Sequence, residues 1–109
     1  MHCPFCALAS RDDGTHRVRL RSQSFVVFDD RRPRHATHLI VAPRVHAETY
    51  EELRVAYPDV AARLLPYAAE VAARLGLRGY KVVLSVGRGG GQRVMHSHAH
   101  LFSDQTGGV

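Results

Sequence analysis

With 109 residues the chain can build one compact domain around one core, and it is too short to set a cofactor domain beside a substrate domain. Its apolar fraction of 45% and charged fraction of 23% are those of an ordinary globular protein, and no apolar run approaches a bilayer span, so no membrane partner is expected. The net charge of +5 rests on arginine, Lys81 being the only lysine; it suits anionic small molecules, while the lack of basic blocks interleaved with aromatics argues against nucleic acid. Arg11, Asp12, Asp13, Arg17, Arg19 and Arg21 break up the first thirty residues, which reads against a secretory signal and makes a cytoplasmic address the expectation.

In chain order, residues 16–22 alternate polar and apolar side chains and residues 24–29 are rich in β-formers, which predicts a hairpin or two neighbouring strands. The run Asp29-Asp30-Arg31-Arg32-Pro33-Arg34 interrupts them as a charged loop. Residues 38–42 predict a third, more buried strand that Pro43 ends, because proline cannot donate to a ladder. A short helix is expected from near Ala47. From Asp59 the apolar positions Val60, Leu64, Ala68, Val71, Ala72 and Leu75 recur at helical spacing, and Pro66 inside them predicts a kink or two helical pieces. Residues 80–86 predict a fourth strand, residues 87–91 a flexible loop and residues 94–102 a fifth strand. Together these make a single α+β domain over residues 1–109, a mainly antiparallel sheet of about five strands with one main helix and one short helix.

On a strand, His96, His98 and His100 would project from one side while Ser97, Ala99 and Leu101 project from the other. Three imidazoles at strict period two after a glycine loop exceed what scattered surface histidines produce. They admit two chemistries: a nucleophilic and acid–base site, or a metal site built from neighbouring His-x-His pairs. Displacement at phosphorus suits imidazole, whose unperturbed pKa of about 6.5 leaves a lone pair available near neutral pH. The Cys3-Pro4-Phe5-Cys6 stretch has only Met1 and His2 before it, whereas a redox pair normally follows a strand and caps a helix, so a metal role is the more natural reading. His2, His16 and His35 fall into no pattern and are expected to be exposed.

The run Gly90-Gly91-Gln92-Arg93-Val94-Met95-His96-Ser97-His98-Ala99-His100-Leu101-Phe102 resembles the Gly-Gln-x-x-x-His-x-His-x-His-x-x signature of the histidine triad (HIT) nucleotide hydrolases and transferases. The likeness extends over nearly the whole chain: Asp30, followed eight residues later by His38 at the head of His-Leu-Ile-Val-Ala-Pro-Arg-Val-His, is similar to the family's nucleoside-binding strand and its proline-terminated partner. The resemblance implies an HIT-like fold and an enzyme that cleaves a nucleoside monophosphate from an amine or phosphate leaving group through a nucleotidyl-histidine intermediate. It implies His98 as the nucleophile, with His100, His38 and His96 completing the catalytic set. Asp30, Ser85, Gly91, Gln92 and Arg93 would contact nucleotide or phosphate, no metal being required for the chemistry. A nucleotide substrate and a homodimer are the partners it implies.

One branch of the family closes a zinc site with such a cysteine pair, a histidine after the proline turn and the first triad histidine, positions matched here by Cys3, Cys6, His46 and His96. A two-Cys, two-His tetrahedron leaves no open position, so that zinc would be structural. Some positions depart from the family's pattern. Ser97 and Ala99 replace bulky apolar residues, which suggests a strand back that packs closely or faces solvent. Ser85 stands where an asparagine is common, and Arg93 where a serine or threonine often touches phosphate. Arg93 is accordingly expected either to favour anionic leaving groups or to face solvent. With seven residues after Phe102, the C-terminal segment that shapes specificity in longer relatives is expected to be largely absent. Two alternatives stay open: a zinc-stabilised nucleotide-binding module with weak or no catalysis, and a metal-dependent hydrolase using the triad as ligands.

Overall fold

The computed structural model describes residues 3–10 and 18–107. Five strands, β1 (Val18–Arg21), β2 (Phe25–Asp29), β3 (Thr37–Pro43), β4 (Lys81–Leu84) and β5 (Ala99–Ser103), form one antiparallel sheet in the order β1-β2-β3-β5-β4. Among the described residues three helices accompany it, α1 (Pro4–Ser10), α2 (Tyr50–Ala56) and α3 (Pro58–Arg74), with one 3-10 turn at Arg88–Gly90.

The central strand β3 is buried along its whole length, which explains its run of apolar residues. Leu39 and Val41 share one face with Phe25, Val27, Ala99 and Leu101, and Leu64, Ala68, Val71 and Ala72 of α3 close over them at the spacing expected of one helix face. Ile40 and Ala42 share the other face with Val26 and Phe28, where Phe5, Leu8 and Ala9 of α1 cover them. The β3–β5 register sets His100 opposite Ile40 and Phe102 opposite His38 on this second face. The sheet thus has an apolar side under α3 and a mixed side, part of which α1 covers and part of which lines a cleft.

The expected strands are present with shorter bounds, residues 16 and 17 of the first lying outside the described residues. Four features differ from expectation. Helix α1 adds a third helix: the Cys3 thiol accepts the Cys6 amide at 3.3 Å and Pro4 occupies the first turn, so the cysteine pair does start a helix. Helix α2 begins at Tyr50 and not near Ala47, because Thr49 caps it: its hydroxyl accepts the Glu52 amide at 3.2 Å while the Glu52 carboxylate accepts the Glu48 amide at 2.8 Å. Helix α3 runs unbroken through Pro66, whose ring is exposed so that the carbonyl it leaves unpaired can reach water; the helical break falls instead at Tyr57–Pro58. Finally, β5 starts at Ala99 and not at Val94.

Leu101 is fully buried beneath α3. Leu101→Ala should cost about 2–5 kcal/mol in urea unfolding, whereas Leu65→Ala, at an exposed position of α3, should change stability by less than about 0.5–1 kcal/mol. Similar losses at the two positions would contradict this packing.

Candidate functional site

The late start of β5 follows from Pro43. The ladder pairs Val41 with Ala99, and two residues further it would set Ser97 opposite Pro43, which has no amide hydrogen to give. The chain bends there instead. The Pro43 carbonyl accepts His96 Nε2–H at 2.8 Å, and the Ser97 amide donates to the Ala47 carbonyl at 2.8 Å. Ser97 and Ala99 are both buried, so the back of this segment packs closely.

Because a carbonyl can only accept, His96 carries its proton on Nε2 and turns the lone pair of Nδ1 outward. That atom lies 3.4 Å from Cys3 Sγ, 3.4 Å from Cys6 Sγ and 3.2 Å from His46 Nδ1; Cys6 Sγ is also 3.2 Å from His46 Nδ1. A tetrahedron with metal–nitrogen bonds of about 2.0–2.1 Å and metal–sulfur bonds of about 2.3 Å has edges of about 3.3–3.8 Å, so the spacing of these donors fits a four-coordinate ion. Burial drives the His96 pKa down to about 4 and raises the Cys6 thiol to about 11, with Cys3 adding to the latter. A bound cation would reverse the cysteine shift by replacing the proton.

His98 and His100 face a separate cleft of about 390 Å³. His98 Nδ1 donates to the His96 carbonyl at 2.7 Å, which leaves its Nε2 as the lone-pair nitrogen. The Phe5 ring stands edge-on to the imidazole, centroids 5.0 Å apart. His38 Nδ1 accepts the Arg34 amide at 3.3 Å, so the His38 proton sits on Nε2, which lies 3.0 Å from His100 Nδ1 and 3.4 Å from Asp30 Oδ2. His100 Nδ1 therefore accepts and its Nε2 carries the proton. The two catalytic candidates hold opposite tautomers, one with a lone pair and one with a proton on Nε2.

Asp30, His38 and His100 also bring three potential ligand atoms together, but the Arg34 amide occupies His38 Nδ1 and so leaves the ring proton on Nε2, the nitrogen a metal would need, and the group reads as a hydrogen-bond chain. The three triad histidines do not converge on one point, since His96 Nδ1 belongs to the cysteine cluster. His98, His100 and His38 are all held below the usual histidine range, by burial first; the carbonyl bond at His98, and Asp30 beside the other two, oppose it.

Asp30, Ser85, Gly91, Gln92 and Arg93 all line the cleft. Gln92, expected to offer its side chain to phosphate, is buried with both ends engaged: its Oε1 accepts the Gly87 amide at 2.8 Å, and its Nε2 donates to the carbonyls of Glu48 and Val94. It braces the glycine loop, where Gly91 adopts a φ of 89° that favours glycine. His35 is half-buried and not exposed, its ring 4.6 Å from that of Phe102 and its Nδ1 3.3 Å from Asp104; His2 and His16 lie outside the described residues. Arg32 and Arg34 line the cleft as well and were not singled out from the sequence, although the charged loop after Asp30 carries the signal.

The HIT domain family model matches residues 13–107, and the chain belongs to this family. A HIT family hydrolase from Legionella pneumophila superposes with a TM-score of 0.83 at 32% identity, over 95% of this chain and 94% of that one. The purine nucleoside phosphoramidase of Escherichia coli is 30% identical over 77 residues, 69% of this chain and 65% of its own length. A zinc-bound histidine triad family protein from Mycobacterium smegmatis superposes with a TM-score of 0.79 at 26% identity, over 98% of this chain and 78% of that one. Among the described residues no helix is long and apolar enough to cross a membrane.

Histidines of the unfolded chain titrate near about pH 6.5, above His38 and His100 in the folded protein, so acid favours unfolding. The stability tied to these two groups is complete above about pH 6.5 and is lost as pH falls toward their lowered values. The urea midpoint should therefore decline from about pH 7 to about pH 5, and decline less in a His38→Gln, His100→Gln protein. An equal decline in both proteins would remove these residues from the account.

Proposed function

We propose that the chain is a nucleotide hydrolase or nucleotidyl transferase that cleaves a nucleoside monophosphate from an amine or phosphate leaving group through a nucleotidyl intermediate on His98. The observation that carries this reading is the opposition of tautomers: His98 offers a lone pair on Nε2 while His100 offers a proton on Nε2, both facing one cleft. The phosphoramidase and hydrolase among its relatives support the same class of chemistry.

The reaction proceeds by two displacements. His98 Nε2 attacks phosphorus, and a phosphorus–nitrogen bond forms as the bond to the leaving nitrogen or oxygen breaks. The leaving atom takes a proton from the His38–His100 pair, which Asp30 helps to hold one extra proton when an anion is bound. Water then attacks the same phosphorus, the electron pair returns to His98, and the proton released by water returns to the pair. The Gly91 and Gln92 amides, expected to meet the phosphate oxygens, are spent on the Arg88 and Gly87 carbonyls at 3.0 Å, so charge there is met by side chains of the cleft wall, with Ser85 on the same wall for the nucleoside. We further propose a structural zinc on Cys3, Cys6, His46 and His96, for which the donor geometry and the zinc-bound relative are the support. Such an ion would tie α1 to the segment carrying His98. A homodimer completes the reading, supported by the open edge of β4 and the exposed Val83 and Val86 beside it.

His98→Ala should lower kcat by on the order of a thousandfold or more while nucleotide binding, followed by calorimetry, is retained. Lost binding with intact turnover would refute the assignment and leave the module without catalysis as the better account. Elemental analysis of untagged protein should find one zinc per chain, absent when Cys3 and Cys6 are both serine, and chelation should lower the Tm. Chelation that stops turnover at once with an unchanged Tm would instead place the metal in the cleft.

A further inference from the structure

The mouth of the cleft carries more positive charge than the transferred phosphate uses. Arg32, Arg34 and Arg93 all line it and all are exposed, and none of the ion pairs among the described residues involves them. Asp30 is the acidic residue of the lining, and its carboxylate is already engaged: Oδ1 accepts the Arg32 amide at 2.8 Å and Oδ2 sits beside His38 and His100. The same contacts pin the loop. The Arg32 amide is bound to Asp30 and the Arg34 amide to His38, so both guanidinium groups start from fixed backbone positions at the rim. Arg93 follows Gln92, whose side chain is clamped on three sides, and lines the same cleft from the glycine-loop segment.

Charge counting then bears on the ligand. Three guanidinium groups against one carboxylate leave two positive charges, counted apart from the proton that the His38–His100 pair takes up when an anion binds. The phosphoryl group under attack in a phosphoramidate or anhydride bears one negative charge, whereas a further terminal phosphoryl group adds about 1.5–2 more, held by forked donors that match its oxygens. Resting on the reading of His98 as nucleophile at that phosphorus, we infer that the cleft is built for a ligand with two phosphoryl groups, the second bound by Arg32, Arg34 and Arg93. That second group comes either from the leaving portion or from a phosphate on the ribose.

Calorimetric titration of the His98→Ala protein, which keeps ligands intact, with AMP, ADP and adenosine 3′,5′-bisphosphate separates these sources. At least one two-phosphate ligand should bind about tenfold tighter than AMP or better, and the advantage should shrink to within about twofold when Arg32, Arg34 and Arg93 are all serine. A gain confined to ADP assigns the second phosphate to the leaving portion, and one confined to the bisphosphate assigns it to the ribose. The advantage should also weaken with added salt. Equal affinities for the three ligands, or an advantage that survives in the triple-serine protein, would overturn the inference. Singly substituted proteins with unchanged Tm guard against misfolding, since each should lose part of the advantage. Equal affinities beside His98-dependent turnover defeat this inference alone. An arginine-dependent advantage in a protein whose turnover does not need His98 defeats the nucleophile alone.

Discussion

The hydrogen bond from His96 Nε2 to the Pro43 carbonyl is the contact on which both sites depend. It takes the place of the strand pairing that proline cannot make, and so it bends the chain just before β5. It also decides which nitrogen of His96 is free to meet the cysteines, and it places the His96 carbonyl where His98 Nδ1 can donate to it. One backbone carbonyl thereby separates the first triad histidine from the other two while linking their orientations. The candidate metal cluster and the cleft proposed for the reaction are lined by side chains two residues apart.

The rest of the site follows from burial acting on neutral imidazoles. Desolvation favours the uncharged forms of His38, His98 and His100; backbone groups then assign the tautomers of His38 and His98, and His38 in turn assigns that of His100. This arrangement keeps an unprotonated ring nitrogen and a donor side by side, at the edge of a region that the arginine rim makes electropositive. The apolar layer under α3 gives these residues a rigid backing, since Ala99 and Leu101 alternate with His98 and His100 and anchor the strand from behind.

Much of this was legible in the sequence. The apolar runs of β2 and β3, the alternation along β5 and the helical spacing of α3 report directly on burial, and the Cys3, Cys6, His46 and His96 set came together across the chain as resemblance implied. What stayed hidden depended on competition among partners. Nothing local shows that Cys3 would cap α1, that Thr49 would delay α2, or that an exposed Pro66 would leave α3 whole. Histidine alternation after a glycine loop reads as a strand from Val94, yet the strand cannot start there because its neighbour has reached Pro43. Gln92 looked like a ligand because its type fits phosphate, and only the three backbone groups around it show that it has no capacity left. His35 carries no pattern of its own and is half-buried because Phe102 lies beside it.

That engagement of Gln92 has a consequence for how the cleft can vary. Its carboxamide joins the glycine loop to the segment leading into α2, so the cleft floor and the helical layer must drift together in evolution. The arginines at the mouth have no such obligations: their side chains can be exchanged without releasing a buried amide or carbonyl. The charge at the cleft mouth and the bracing of the glycine loop are therefore carried by different residues of one cleft. A chain built this way can diversify what it recognises by surface substitution alone, while its reacting groups keep their places.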